Sequence, residues 1–204
     1  ACAPYRRLHL CSHNLESIET TSKTTSDTLL LEVCMAAKYE GGSIKTPYPK
    51  HEHTNPDSQL CTVLARSFAD IGDIVRGRDI FRGNDEEKEK RKQLEKNLKK
   101  IFGNIYKELK NEKTNGAKDR YKDESRNYFQ LREDWWTANR STVWKALTCD
   151  DDDKKLRDAK YFRPTCDEQG GAQANNKCRC DGANIVPTYF DYVPQYLRWF
   201  EEWA

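Results

Sequence analysis

The chain has no CxxC pair, no GxSxG elbow, no phosphate-binding loop of the GxxxxGK[ST] kind and no GxGxxG fingerprint. Each absence removes a class: dithiol redox chemistry and zinc ribbons, serine hydrolysis, nucleotide hydrolysis and dinucleotide binding. Aliphatic residues are scarce, with one methionine in 204 residues and a mean hydropathy of −0.99. No apolar run approaches the roughly 20 residues that span a bilayer, and no secretory leader is visible. These absences predict a soluble chain whose export signal, if any, lies outside it. Neither sign of charge dominates, since 35 Lys/Arg face 33 Asp/Glu for a net +2. Any electrostatic function must therefore come from local clustering.

A third of the residues are charged, a composition that borders on disorder. Two features oppose disorder. One is aromatic content: 5 Trp, 10 Tyr and 7 Phe, whose rings each bury much apolar area. The other is eight cysteines, at positions 2, 11, 34, 61, 149, 166, 178 and 180. Disulfides in an oxidising compartment are the natural use of such a set. A four-thiolate zinc site from Cys149, Cys166, Cys178 and Cys180 is the competing use.

The periodicity predicts an all-α chain with long irregular loops. A helix is expected from about Asp27 to Lys38, capped by Ser26 or Asp27 and ended by Gly41-Gly42. A second, from about Gln59 to Arg76, carries the stripe Leu60, Leu64, Phe68, Ile71 and Val75 and stops at Gly77. The stretch "NDEEKEKRKQLEKNLKKIFGNIYKELKNEK" reads as a long helix with Leu94, Leu98, Ile101, Ile105 and Leu109 on one face. A fourth helix runs from about Tyr128 to Leu147. A last one begins near Pro194, with Tyr196, Leu197, Phe200 and Trp203 as its apolar stripe. Nothing in the chain follows to cover that stripe, which predicts that the natural protein continues past Ala204.

The fourth helix, in "LREDWWTANRSTVWKALTC", holds three tryptophans. In projection, Trp136, Arg140, Val143, Trp144 and Leu147 share one face, and Tyr128, Leu131, Trp135, Ala138 and Thr142 share another. Apolar residues on two faces predict a helix contacted from two sides, at the centre of a bundle. Core packing accounts for these rings more simply than a ligand pocket does.

Chemistry-bearing residues are few. Cys11 lies between His9 and His13, a conceivable nucleophile pair, although an oxidised Cys11 beside solvated histidines explains the same residues. His51 and His53 in "HEH" offer two metal ligands and no third. Asp70 and Asp73 sit one turn apart, more naturally as a solvated or paired face than as an acid–base couple. The sequon at Asn139 falls inside the tryptophan helix, where a glycan would obstruct packing. The "DDDDK" at 150–154 reads as a cleavable acidic loop. No cofactor or metal is expected. One cluster stands out: residues 86–126 carry fourteen Lys/Arg against nine Asp/Glu, a net +5. Lys92, Lys96, Lys99, Lys100, Lys107 and Lys110 lie away from the leucine stripe. Such a face can meet a polyanion, and a solvated helix with Glu/Lys pairing is its plain alternative. Nucleic acid is disfavoured by the cysteine usage and by the lack of any nucleic-acid module.

Six ordered stretches carry a resemblance: "CAPYRRLHLC", "LLLEVCMAAKYEG", "CTVLARSFADIGDIVRGRDIF", "YFQLREDWWTANRSTVWKALTC", "KCRC" and "VPTYFDYVPQYLRWFEEW". Together they cover about half the residues and span the chain. The chain resembles a Duffy-binding-like domain, most closely the alpha class at the head of the variant erythrocyte membrane proteins of Plasmodium falciparum. The segments between the motifs, the lysine-rich helix included, resemble nothing in particular.

The resemblance implies a disulfide-stapled helical bundle in three parts. These are the end of a stapled N-terminal subdomain at 1–24, a central bundle at 25–165, and the start of a truncated C-terminal subdomain at 166–204. It also implies upstream sequence with candidate partners for Cys2 and Cys11. It implies an adhesin on the extracellular face of the infected red cell, attached to the membrane only through the rest of its parent. Its partners would be red-cell or endothelial receptors, sulfated glycans or blood-group sugars, and antibodies, with rosetting or cytoadherence as the outcome. A structural module supporting a neighbouring receptor-binding domain is the alternative. Within this family Phe68, Trp135, Trp136 and Trp144 are scaffold, and a bridge joins the motifs holding Cys61 and Cys149. Cys166 is expected to pair with Cys178 or Cys180, the other reaching outside the chain. Lys92, Lys96, Lys99, Lys100, Lys107 and Lys110 are the expected glycan contacts.

Overall fold

In the computed structural model, residues 2–21, 24–47, 59–111, 117–149, 156–167, 171–182 and 184–204 are described. The His51–His53 and "DDDDK" stretches lie outside them. The helices are α1 (Tyr5–Leu8), α2 (His13–Glu16), α3 (Ser26–Lys45), α4 (Leu60–Arg76), α5 (Asp85–Asn111), α6 (Ala117–Arg120), α7 (Phe129–Leu147) and α8 (Gln195–Trp203), with a 3-10 turn at Phe190–Tyr192 before α8. Among the described residues there is no strand, only an isolated bridge between Asn176 and Arg179.

Two glycine sites that look alike in sequence behave differently. Gly77 ends α4 in the left-handed region at φ 72°, where a side chain would be strained. Gly41-Gly42 do not end α3, which runs on to Lys45. A Cβ at Gly41 would fall on the carbonyl oxygen of Leu147. That glycine is therefore a close-approach site between α3 and α7 rather than a stop.

The core is assembled around α4, of whose seventeen residues fourteen are buried. The predicted stripe Leu60, Leu64, Phe68, Ile71 and Val75 lies wholly inside. Phe68 packs on Trp136 at 5.1 Å between ring centroids and edge-on to Trp144 at 5.2 Å. On the other side of α7, Trp135 meets Phe102 of α5 edge-on at 6.1 Å. All four scaffold rings, Phe68, Trp135, Trp136 and Trp144, are buried. Each indole N–H of α7 donates to a fixed acceptor: Trp135 to Ser26 Oγ, Trp136 to Asp191 Oδ2 and Trp144 to the Cys178 carbonyl. The second predicted face of α7 is only half covered, because Leu131 and Trp135 are buried whereas Ala138 and Thr142 are exposed. The same buried cluster takes in Leu156, Tyr161, Ala174 and Val186 from the irregular segments after α7.

The disulfides differ from the expected Cys61–Cys149 pairing. Cys61 bonds to Cys178, across a sequence separation of 117. Cys166 bonds to Cys180 across 14. Cys178 therefore closes onto the start of α4 instead of reaching outside the chain. The Cys149 carbonyl accepts from Lys45 Nζ, which ties the end of α7 to the end of α3. Sequence spacing could not separate these pairings, because both Cys149 and Cys178 converge on the same end of the bundle only after the loop folds back. Three of the four thiols weighed as zinc ligands are consumed in these bridges.

Candidate functional site

Helix α5 needs no unusual cap to form. Asn84 Oδ1 accepts the Glu87 N–H while Glu87 Oε2 accepts the Asn84 N–H, a reciprocal box. Asp85, Glu86 and Glu87 sit in its first turn, where the helix dipole favours acids. Its apolar face, Leu94, Leu98, Ile101, Phe102 and Ile105, is buried. The opposite face fronts an open groove of about 1500 Å³ between α5 and two flanking segments, around residues 77–82 and 125–129. Nine Lys/Arg line it against two carboxylates, Asp79 and Glu95, so its potential is positive.

Five of the six expected lysines line this groove: Lys92, Lys96, Lys99, Lys100 and Lys107. The side chain of Lys110 lies outside the described residues. The lysines are not equivalent. Lys92 is paired with Glu89 at 2.5 Å and Lys99 with Glu95 at 3.9 Å. Among the described residues, Lys96, Lys100 and Lys107 have no carboxylate at ion-pair distance, and Lys88, which the sequence did not single out, shares that condition. Local i,i+3 and i,i+4 pairing thus quenches part of the face and leaves the rest available.

The far wall of the groove is a strained loop. Arg126 and Tyr128 both adopt φ 56°, a region costly for residues with a Cβ. Asp123 holds them there. Its Oδ1 accepts from the Ser125 N–H and hydroxyl, and its Oδ2 from the Asn127 and Tyr128 N–H groups. The Ser125 hydroxyl and these amides hold the Asp123 carboxyl below the usual carboxylate range. Tyr128 packs against Tyr106 of α5 at 5.8 Å. Phe129, at the start of α7, lines the groove while remaining 49% exposed. No sequence signal marked this wall, because its residues are ordinary types in extraordinary backbone conformations.

A second electrostatic region lies inside the protein. Asp70 and Asp73 are buried, not solvated. Asp70 accepts from Arg6 and Arg198, each at 2.7 Å, and from the Gln195 side-chain amide. Asp73 pairs with Arg76 at 2.9 Å and Arg198 at 2.5 Å. Burial pushes both carboxyls up, but Arg6 and Arg198 outweigh it at Asp70 and hold its pKa below the ordinary value. At Asp73 burial prevails over Arg198 and Arg76, and the pKa is raised. Two acids held by three arginines have no free proton site facing a cleft, so this pair is structural. Asp79 gathers Arg7, Arg91 and Gln195 in the same way. Cys11 is a thiol, and burial and Glu40 push its pKa up. That is the wrong direction for a nucleophile.

The same buried charges orient α8. Gln195, Arg198 and Trp199 face inward, the Trp199 indole reaching Asp70 at 3.3 Å. The predicted stripe of Tyr196, Leu197, Phe200 and Trp203 faces outward, between 45% and 72% exposed. The stripe is thus uncovered by this chain, as the sequence led one to expect, and ion pairs from Arg198 to α4 supply the inner face instead. Among the described residues, no helix is long and apolar enough to cross a membrane.

Residues 1–198 match the Duffy binding domain family. A solved structure of the NTS-DBL1(alpha-1) domain of Plasmodium falciparum membrane protein 1, varO strain, is 43% identical over the whole chain, with a TM-score of 0.75. An NTS-DBL1-alpha and CIDR-gamma double domain of the same strain is 44% identical, again over the whole chain, with a TM-score of 0.78. The chain spans 43% and 27% of those two chains. A DBLbeta domain of the variant IT4var13, solved bound to ICAM-1, is 34% identical over the whole chain, with a TM-score of 0.69, and 44% of that domain is covered. No curated protein matches the chain.

Proposed function

The chain belongs to the Duffy binding domain family, a family of adhesion domains rather than enzymes, and on that premise we propose that it is an adhesion domain whose lysine-lined groove attaches it to sulfated glycan on host cells. The observation that carries this reading is the groove itself, with nine cations against two carboxylates and Lys88, Lys96, Lys100 and Lys107 outside any ion pair among the described residues. Sulfate groups need point charges without fixed geometry, which lysine supplies. The solved relatives are of a parasite membrane protein, which supports a place on the face of the infected red cell and a part in rosetting or cytoadherence. A relative's binding of ICAM-1 supports receptor binding in general. The reading carries with it the division into segments 1–24, 25–165 and 166–204.

The test is elution from immobilised heparin. Reversal of Lys96, Lys99 and Lys100 to glutamate is expected to abolish retention while the thermal transition stays in place. Wild-type retention should weaken steeply with salt, since exposed charges are screened over about 8 Å at physiological ionic strength. Unchanged elution of the variant would place attachment elsewhere. One observation favours a scaffold role instead: the outward aromatic face of α8 is larger than isolated exposed rings explain. A domain retained on neither heparin nor red cells would support that second reading.

A further inference from the structure

The groove has two unlike walls, and the second carries aromatic rings beside its one cation, Arg126. Across from the lysines stand two rings: Tyr128, packed on Tyr106 of α5, and Phe129 next to it. Phe129 bears on the question most directly. It is 49% exposed and lies outside the buried cluster, so packing does not account for its place at the groove. The loop that presents these rings is set before any ligand arrives, because four hydrogen bonds to Asp123 fix Arg126 and Tyr128 in left-handed conformations. A wall fixed in advance loses little entropy on binding. A flexible polyanion read by charge alone would have no use for it.

We infer that the groove selects a sulfated saccharide over other polyanions of like charge, with Phe129 and Tyr128 stacking on sugar rings while the lysines meet the sulfates. The inference rests on the glycan reading above. Its physical basis is that one face of a pyranose presents a patch of C–H bonds, weakly positive, that complements the negative face of an aromatic ring. Anionic groups project from the rim of the same ring, towards the opposite wall. A groove with cations along one side and rings along the other matches that amphipathic cross-section. A linear inorganic polyphosphate matches only the cations.

The experiment measures the affinity of the chain for heparin and for inorganic polyphosphate in parallel, at one ionic strength. Three proteins are compared: wild type, Phe129→Ala, and the Lys96, Lys99 and Lys100 reversal to glutamate. Phe129→Ala is expected to weaken heparin about three- to tenfold, the range of one aromatic stacking contact, and to leave polyphosphate within about twofold. Phe129→Trp keeps a ring and should keep heparin affinity, which separates stacking from any disturbance of the helix start. If Phe129→Ala weakens both ligands alike, or neither, the rings do not read sugar and the inference fails. If polyphosphate does not bind wild type at all, Phe129→Ala must still lose heparin. If the lysine reversal leaves heparin binding unchanged, it is the glycan reading that fails, and that outcome is distinct from the others.

Discussion

The interior lattice and the outer groove use the same residue types to opposite ends. Inside, Arg6, Arg76 and Arg198 are locked onto Asp70 and Asp73, Arg6 nearly buried and the others fully so, each with a carboxylate partner. Outside, Lys96, Lys100 and Lys107 stand along α5 with no carboxylate in reach among the described residues. The buried set holds segments together that are far apart in sequence. The exposed set contributes little to folding and is available to a ligand. A hydrophilic composition therefore does not imply a soft fold: charge of the same kind supports the scaffold inside and stands unpaired along the groove outside.

The sharpest way to break the pinned side is covalent. Replacing Cys61 and Cys178 together by alanine opens the 117-residue separation and should cost about 5 kcal/mol of unfolding free energy on loop-entropy reasoning. Replacing Cys166 and Cys180 should cost about 3 kcal/mol, since that loop is much shorter. Urea denaturation with the remaining bridge intact measures both, and equal losses would show that loop length is not what matters. Next, Arg198→Ala leaves Asp70 and Asp73 buried with fewer partners and is expected to cost about 3–5 kcal/mol. Trp144→Ala should fall in the same range by opening a cavity against Phe68. If Trp144→Ala kept its stability and lost adhesion, the rings would be a binding site after all.

Titration sharpens the contrast at a smaller scale. The folded pKa of Asp70 is depressed below 3.8, so its contribution is complete above that value and lost as pH falls through the folded pKa. That of Asp73 is raised, so its contribution is present below 3.8 and lost as pH rises through the folded pKa. Asp70→Asn should therefore flatten the acid limb of a stability–pH curve, and Asp73→Asn should not. The smallest effect is expected outside. The lysine reversal proposed as the test of heparin retention should change stability by no more than about 0.5 kcal/mol per site, read by thermal melting.

Where the sequence was legible, one force acted alone. The stripe of α4 and the leucine face of α5 were visible because burial dictates spacing, and Trp136 and Trp144 projected correctly onto the inner face of α7. Where two forces competed, the reading failed. At α8 the stripe of Tyr196, Phe200 and Trp203 lies uncovered as expected, yet nothing marked Gln195, Arg198 and Trp199 as the face that turns to Asp70. Gly41 looked like a stop and proved to be a gap for the Leu147 carbonyl. Cys61 found Cys178 because a loop folded back, which no local pattern records. At the groove, the lysines could be read from charge. The opposite wall could not, because the hydrogen bonds of Asp123 and the left-handed backbone at Arg126 and Tyr128 leave no compositional trace.

The contacts of α8 with the first residues have a mechanical meaning. Arg6 clasps Glu202 with two hydrogen bonds, at 2.9 and 3.0 Å, and the Trp203 indole donates to the Cys2 carbonyl at 3.0 Å. Pulling the first residues away from α8 therefore has to break this clasp before it disturbs Phe68 or the tryptophans of α7.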